Sequence, residues 1–183
     1  MMYFDDILMH YGVPGMRWGH RKEHIVTKKS RRNMADHENI FKTLNAQQRE
    51  FLNGGHDSSK YIPEGYESYK YGIYKQKLLK IGKTPMSFVD AWGGTKPENG
   101  EVILAIATNS KYQGKGYGSR ILKEMVNDLK LDTKISEITY LADVNNKASN
   151  KMALANGFEF LKLNSYAVNG KKYTDNVYRY KKG

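Results

Sequence analysis

Cysteine is absent from all 183 residues. That excludes disulfides, thiolate-held metals, a cysteine nucleophile and an acyl-cysteine intermediate. Long apolar runs are missing too. None approaches the roughly 18–20 residues that a membrane-crossing helix needs, so no membrane partner is expected. The opening stretch MMYFDDILMHYG sets Asp5 and Asp6 ahead of a short apolar patch, the wrong order for a secretory signal. No grouping of His, Asp and Glu has metal-ligand spacing, so no metal is expected. No internal repeat is visible. These absences point to a protein that works inside a cell or is packaged within a particle.

Acidic residues are also scarce. Asp and Glu number 19 against 30 Lys and Arg, a formal charge of +11, which favours a polyanionic neighbour or an anionic ligand over a neutral one. A solubilising lysine-rich surface explains the same excess equally well. The bases cluster once, in RWGHRKEHIVTKKSRR (17–32), which holds a single glutamate. Such a run is a solvated segment or an arm for nucleic acid or an acidic protein. What is plentiful is tyrosine, fourteen in all, within an apolar content of 39%. That is enough for one packed domain with an appendage.

Residues 1–36 are short on periodicity and rich in Gly, Met, His and bases, and read as an appended, partly flexible segment. The folded domain is expected over 37–183. ENIFKTLNAQQREFL (38–52) spaces Ile40, Phe41, Leu44, Phe51 and Leu52 for an amphipathic helix ended by Asn53-Gly54-Gly55. YKYGIYK, KLLKIGK and MSFVDAW read as two or three antiparallel strands. EVILAIAT (101–108) has the unbroken apolar middle of a strand buried on both faces. SRILKEMVNDLKL puts Ile121, Leu122, Met125, Val126 and Leu129 on one helical stripe. ITYLADV is a further strand, and NKASNKMALAN a short helix with Gly157 as its left-handed stop. FEFLKLN and VYRY close the chain around YAVNGKKY, where Asn169-Gly170 predicts a tight hairpin turn. The class is α+β with an αβ crossover in its middle.

Between EVILAIAT and its helix lies YQGKGYGSR (112–120), with Gly114, Gly116 and Gly118 at alternate positions. A strand-to-helix loop of this kind converges backbone N–H groups on an anion, and glycine keeps Cβ atoms out of the way. A dinucleotide fingerprint needs a third glycine three residues after Gly116, where Ser119 stands. The Gly-x-x-x-x-Gly-Lys-Ser/Thr loop is missing. A plain turn explains one glycine and not three.

Gln113-Gly114-Lys115-Gly116-Tyr117-Gly118 resembles the Q/R-x-x-G-x-G/A motif of the Gcn5-related N-acetyltransferase (GNAT) superfamily. NKASNKMALANGFEF resembles the same family's later N-x-x-[AS]…G-F segment, and the likeness extends over about 38–180. It implies a twisted, mixed but mostly antiparallel sheet flanked by helices, with the fourth and fifth strands splayed around acetyl-coenzyme A. It implies that residues 114–119 hold the pyrophosphate, with Gln113 at the motif's head and Lys115 or Arg120 adding charge. Ile106, Ala107 and Thr108 would line the wedge for the pantetheine arm, with a backbone N–H near Thr108 polarising the thioester carbonyl. Asn146 would hydrogen-bond that arm, and Ser149 would lie near it. The activity implied is direct transfer of acetyl to an amine of unidentified acceptor.

The match departs from the family at one place. Many members carry a tyrosine seven residues after the equivalent of Asn146 as proton donor to the thiolate, and here that residue is Ala153. A thiol of pKa near 8.5 leaves without much help. Tyr112, Tyr117 and Tyr166 are the alternatives, Tyr112 first. Glu101 is the candidate base, one residue out of register with the family's glutamate, with Asp90 and His56 behind it.

LMHYGVPGMRWGHRK (8–22) lies outside that family. His10, Tyr11, Gly12, Val13, Gly15, Met16, Arg17, Trp18, Gly19 and Arg21 resemble a motif associated with structural and head-associated proteins of tailed bacteriophages. It implies a partner in a phage head for 8–22, a place in the host cytoplasm or the virion, and weak nucleic-acid contact through 17–32. A tail that covers its own domain is the plain alternative. Two functions stay open: a phage or prophage acetyltransferase, and a catalytically degenerate domain that serves as a phage structural or binding protein.

Overall fold

The computed structural model describes residues 23–26, 31–46, 72–93, 97–168 and 171–182. The strands β1 (Glu23–Val26), β2 (Ile73–Ile81), β3 (Thr84–Trp92), β4 (Glu101–Thr108), β5 (Glu137–Asp143), β6 (Glu159–Val168) and β7 (Lys171–Lys181) form one sheet in the order β1-β2-β3-β4-β5-β7-β6. Every described pairing is antiparallel except β4 with β5. Among the described residues three α-helices flank it: α1 (Arg31–Thr43), α2 (Tyr117–Leu131) and α3 (Lys147–Ala155). This is the expected α+β architecture.

β4 is central because its residues suit both faces. Val102 and Leu104 point into the core beneath α2, together with that helix's expected stripe of Ile121, Leu122, Met125, Val126 and Leu129. Ala105 and Ala107 point the other way, into a cluster with Phe88, Leu78 and the α1 residues Ile40 and Leu44. The parallel ladder from Glu101↔Glu137 stops at Leu104↔Tyr140. Beyond it β5 pairs with β7 alone, through Leu141, Ala142 and Asp143. The two central strands therefore part company halfway along.

The two or three antiparallel strands expected over residues 69–92 are two, β2 and β3, whereas expectations nearer the N-terminus need correction. YKYGIYK and KLLKIGK form one strand, β2, because no turn former separates them. The left-handed glycines are Gly72 (φ 83) and Gly82 (φ 58), on either side of the strand. The first helix begins at Arg31, not at residue 38, and ends at Thr43. Ile40 and Leu44 are buried as expected, whereas Phe51 and Leu52 lie outside the described residues. The basic stretch hid this start, since Arg31 and Arg32 interrupt the apolar period. The boundary expected between residues 36 and 37 falls inside α1. β1, expected within the appendage, pairs with β2 from Glu23↔Ile81 to Val26↔Leu78, and Ile25 packs on the core. Lys80, buried on β2, ties Asp36 of α1 to the sheet.

The far end of α2 is held by a titrating pair. Tyr74 donates its hydroxyl hydrogen to Asp132 Oδ2 at 2.6 Å. Burial first, then that carboxylate, pushes the phenol up to about 12, and the same bond holds the Asp132 carboxyl below its ordinary range. A raised phenol pKa contributes stability that is complete below pH ~10 and lost as pH climbs towards the folded value. A depressed carboxyl contributes stability present above pH ~4 and lost in stronger acid. Tyr74→Phe is expected to flatten both limbs of the denaturation midpoint against pH. Parallel wild-type and variant curves would contradict the pairing. Among the described residues no helix is long and apolar enough to cross a membrane.

Candidate functional site

The site begins where β4 ends. Asn109 donates its N–H to Met86 O at 2.9 Å, so odd-numbered residues of β4 bond towards β3 and even-numbered ones towards β5. The β5 ladder has stopped at Leu104. The N–H and C=O of Ile106 and the N–H of Thr108 therefore face the gap between the diverging strands. Thr108 O is taken by the Gln113 amide at 3.2 Å, which folds the loop back onto the strand. Ala107, expected in the wedge, is turned away. Its carbonyl accepts from Ser87 Oγ at 2.8 Å, and its side chain is buried on the α1 face.

The three glycines do different work. Gly114 (φ 76) and Gly116 (φ 81) adopt left-handed backbone that strains other residues, and both are exposed with open space beside them. Gly116 is the N-cap of α2, and no side chain caps that end. Its first-turn amides, from Tyr117 to Ser119, are left directed at solvent, with the helix dipole behind them. Gly118 is helical, and the reason there is space. A Cβ would meet Thr108 Oγ1 at 3.0 Å and Met152 Sδ at 3.3 Å, so α2, α3 and β4 converge on it. Lys115 lies over the Tyr112 ring at 5.5 Å and adds positive charge at the mouth.

α3 forms the opposite wall. Asn146 is its N-cap, with Oδ1 accepting from Ser149 N at 3.1 Å, so that half of its amide is committed. Ser149 Oγ is 2.7 Å from Tyr140 OH. Tyr140 is wholly buried, and burial raises its phenol pKa well above the ordinary value. Ala153 is fully buried in the same core cluster. Gly157 (φ 84) ends the helix as expected, with Tyr180 packed where its Cβ would be.

Sequence reasoning missed two asparagines. Asn150 Nδ2 donates to the carbonyls of Asn146 (2.9 Å) and Asp143 (3.0 Å), and its Oδ1 accepts from Asn176 Nδ2 (2.7 Å) and Tyr178 OH (2.8 Å). It joins β5, α3 and β7. Asn156 donates to Ser119 Oγ at 3.0 Å, linking the end of α3 to the first turn of α2. Neither has a sequence signal, because their partners are remote in the chain. Asn150→Ala leaves the buried Tyr178 hydroxyl and its half-buried neighbours without these partners and is expected to cost about 1–2 kcal/mol in chemical denaturation. A loss below about 0.5 kcal/mol would contradict the hub's role.

The remaining candidates are scattered. Glu101, half-buried, accepts from Thr139 Oγ1 at 2.9 Å, on the face opposite α2 and at the end of β4 away from the loop. Asp90 is fully buried on that same face, with the Gln76 amide at 2.8 Å. Tyr112 and Tyr117 are half-buried against the core beside the loop. Tyr166 stacks on Tyr173 with ring centroids 5.5 Å apart, in the β6–β7 hairpin. His56 and the 8–22 motif lie outside the described residues, as do Asn169 and Gly170. Among the described residues no three His, Asp or Glu side chains are grouped to hold a metal.

An uncapped helix N-terminus beside a strand gap lined with free amides is fitted for an anionic head carrying an extended, amide-bearing arm. The chain belongs to the acetyltransferase (GNAT) domain family, whose description matches residues 18–159. A second description, a family of unknown function (DUF7211), matches residues 1–25. The fold is similar to that of the ribosomal-protein-S18-alanine N-acetyltransferase of Escherichia coli, at 13% identity over 88% of this chain and 94% of that one, TM-score 0.63. It is also similar to a ribosomal L7/L12 α-N-protein acetyltransferase solved with coenzyme A, at 17% identity over 86% and 93%, TM-score 0.63. The ribosomal-protein-S5-alanine acetyltransferase of Vibrio fischeri shares 14% identity over 91% and 96%, TM-score 0.61. No curated protein sequence matches the chain.

Proposed function

We propose that the protein transfers acetyl from acetyl-coenzyme A directly to an amine. The observation that carries this reading is the opening of the β4–β5 gap beside the glycine-shaped start of α2. The first-turn amides would hold the diphosphate, with Lys115 or Arg120 adding charge. Ile106 and Thr108 would hold the pantetheine amides as a strand does, through the backbone groups that face the gap. Bound there, the cofactor supplies an activated acyl group on a competent leaving thiol. Glu101, fixed by Thr139, is the proposed base for the incoming ammonium, acting through solvent. The absence of cysteine leaves attack by the amine itself as the route.

The acceptor is an amine on a small molecule or a protein. The N-terminal motif at 8–22 is proposed to dock the domain on a phage head protein, which would place the enzyme in the virion or the host cytoplasm. The basic stretch 17–32 would add weak nucleic-acid contact that falls steeply with salt. A degenerate domain serving only as a phage structural or binding protein is the second reading, favoured by the burial of Ala153 where relatives carry a proton donor. Thiol release from acetyl-coenzyme A, followed with a thiol dye across a panel of amines, separates the two. The chain contributes no thiol background, and release with any amine above the no-amine rate supports transfer. Binding without release from any member supports the relic.

A further inference from the structure

The segment that leads into the glycine loop is gripped from the far side of the sheet. α1 packs across the face opposite α2, where Ile40 and Leu44 join Phe88, Ala105 and Ala107 in one cluster. Those two alanines flank Ile106, whose backbone faces the gap, so α1 backs the stretch of β4 that lines it. Between Ile40 and Leu44 stands Thr43, the last residue of the helix. Its hydroxyl donates to Ile40 O at 2.7 Å and accepts the N–H of Ser110 at 3.0 Å. Ser110 Oγ donates in turn to Thr43 O, one of the last-turn carbonyls that a helix leaves without an internal partner. Ser110 opens the single turn Ser110–Tyr112, which runs straight into the glycine loop.

We infer that Thr43 is a positioning residue for the cofactor loop, and that it couples α1 to cofactor binding. The inference rests on the acetyl-coenzyme A reading above. From Thr108 to Gln113 the chain is held as a stiff unit. Asn109 donates its N–H to Met86 O at 2.9 Å, and its Oδ1 accepts from Lys111 N at 3.2 Å. Tyr112 N–H reaches Asn109 O at 2.8 Å, and the Gln113 amide reaches Thr108 O at 3.2 Å. Ser110 lies in the middle of that unit. A shift at Ser110 is therefore carried to Gln113 and on to Gly114 and Gly116, where the anion-binding amides begin.

The grip itself has little freedom. Ile40 and Leu44, on either side of Thr43, are buried in the α1 cluster. The direction of the hydroxyl is set as well. Its hydrogen is committed to Ile40 O, so the oxygen presents a lone pair to the Ser110 N–H. Coupling between two places in a protein is reciprocal. A cofactor that fixes the loop also steadies the last turn of α1, and whatever loosens that turn weakens the cofactor.

Coenzyme A is the probe, and no acceptor is needed. In the wild type, coenzyme A should slow hydrogen exchange at the amides of residues 41–44 as well as in the first turn of α2. Thr43→Val keeps the shape of the side chain and removes both hydroxyl bonds. It should bind coenzyme A about fivefold more weakly, the equivalent of one neutral hydrogen bond, and lose the protection in α1. Protection in the first turn of α2 should persist at saturating coenzyme A. Thr43→Ser should restore both readouts. Ser110→Ala, at an exposed site, should give the same two losses in smaller measure. A threonine that merely ends its helix would affect stability without moving affinity or cofactor-induced protection. Unchanged affinity in Thr43→Val, or α1 protection that persists in it, overturns the inference and leaves the cofactor reading standing. Failure of wild-type protein to bind coenzyme A overturns both.

Discussion

Gly118→Leu is expected to weaken acetyl-coenzyme A binding by at least about a hundredfold, or about 2.7 kcal/mol. The leucine Cβ would sit 3.0 Å from Thr108 Oγ1 and 3.3 Å from Met152 Sδ, and its branches need further room. Thr108 is fixed from behind by Ser87 Oγ at 3.0 Å, so α2 or α3 must yield. Either movement spoils the site, since the first carries the anion-binding amides and the second carries Asn146 and Ser149. Overpacking of this kind also costs about 1–3 kcal/mol of stability. Gly116→Ala is the informative contrast. Nothing lies within 4 Å of its Cβ, so its penalty is confined to left-handed backbone strain, about 1–2 kcal/mol. Equal binding by Gly118→Leu and wild type, measured by titration, would remove the cradle from the account.

The second large effect is structural. Phe88→Ala is expected to lower the unfolding free energy by about 3–5 kcal/mol. Phe88 is fully buried on β3 and packs with Leu78, Ala105, Ala107, Ile40 and Leu44, the cluster that seats α1. Opposite β4, the residue paired with Phe88 is Ala107, too small to fill the space left. α1 would lose its main contact with the sheet. Denaturant titration measures the change, and a loss below about 1 kcal/mol would mean that α1 is not docked there.

These residues also show what was legible beforehand. The α2 stripe and the two-sided apolar run of β4 were readable because burial imposes a period that chain-local spacing records. The glycine loop was readable as an anion cradle because two of its glycines meet a backbone demand, φ above zero, that few other residues meet. The role of Gly118 was not readable, since it depends on Thr108 and Met152 arriving from other elements. The same holds for Asn150, Asn156 and the Tyr140–Ser149 pair, whose partners lie on different strands and helices. Motif position alone places Ala107 in the gap. The strand's two-residue alternation sends it to the opposite face, and only the register with β3 reveals which parity faces β5. β1 escaped notice because a four-residue strand inside a basic segment has too little periodicity to stand out.

The most direct test of the central claim is a calorimetric titration of the full chain with acetyl-coenzyme A, run beside Gly118→Leu. Saturable one-to-one binding by the wild type, weakened at least about a hundredfold in the variant, is the predicted result. Heats that never saturate with wild-type protein, or identical isotherms for the two, would contradict it.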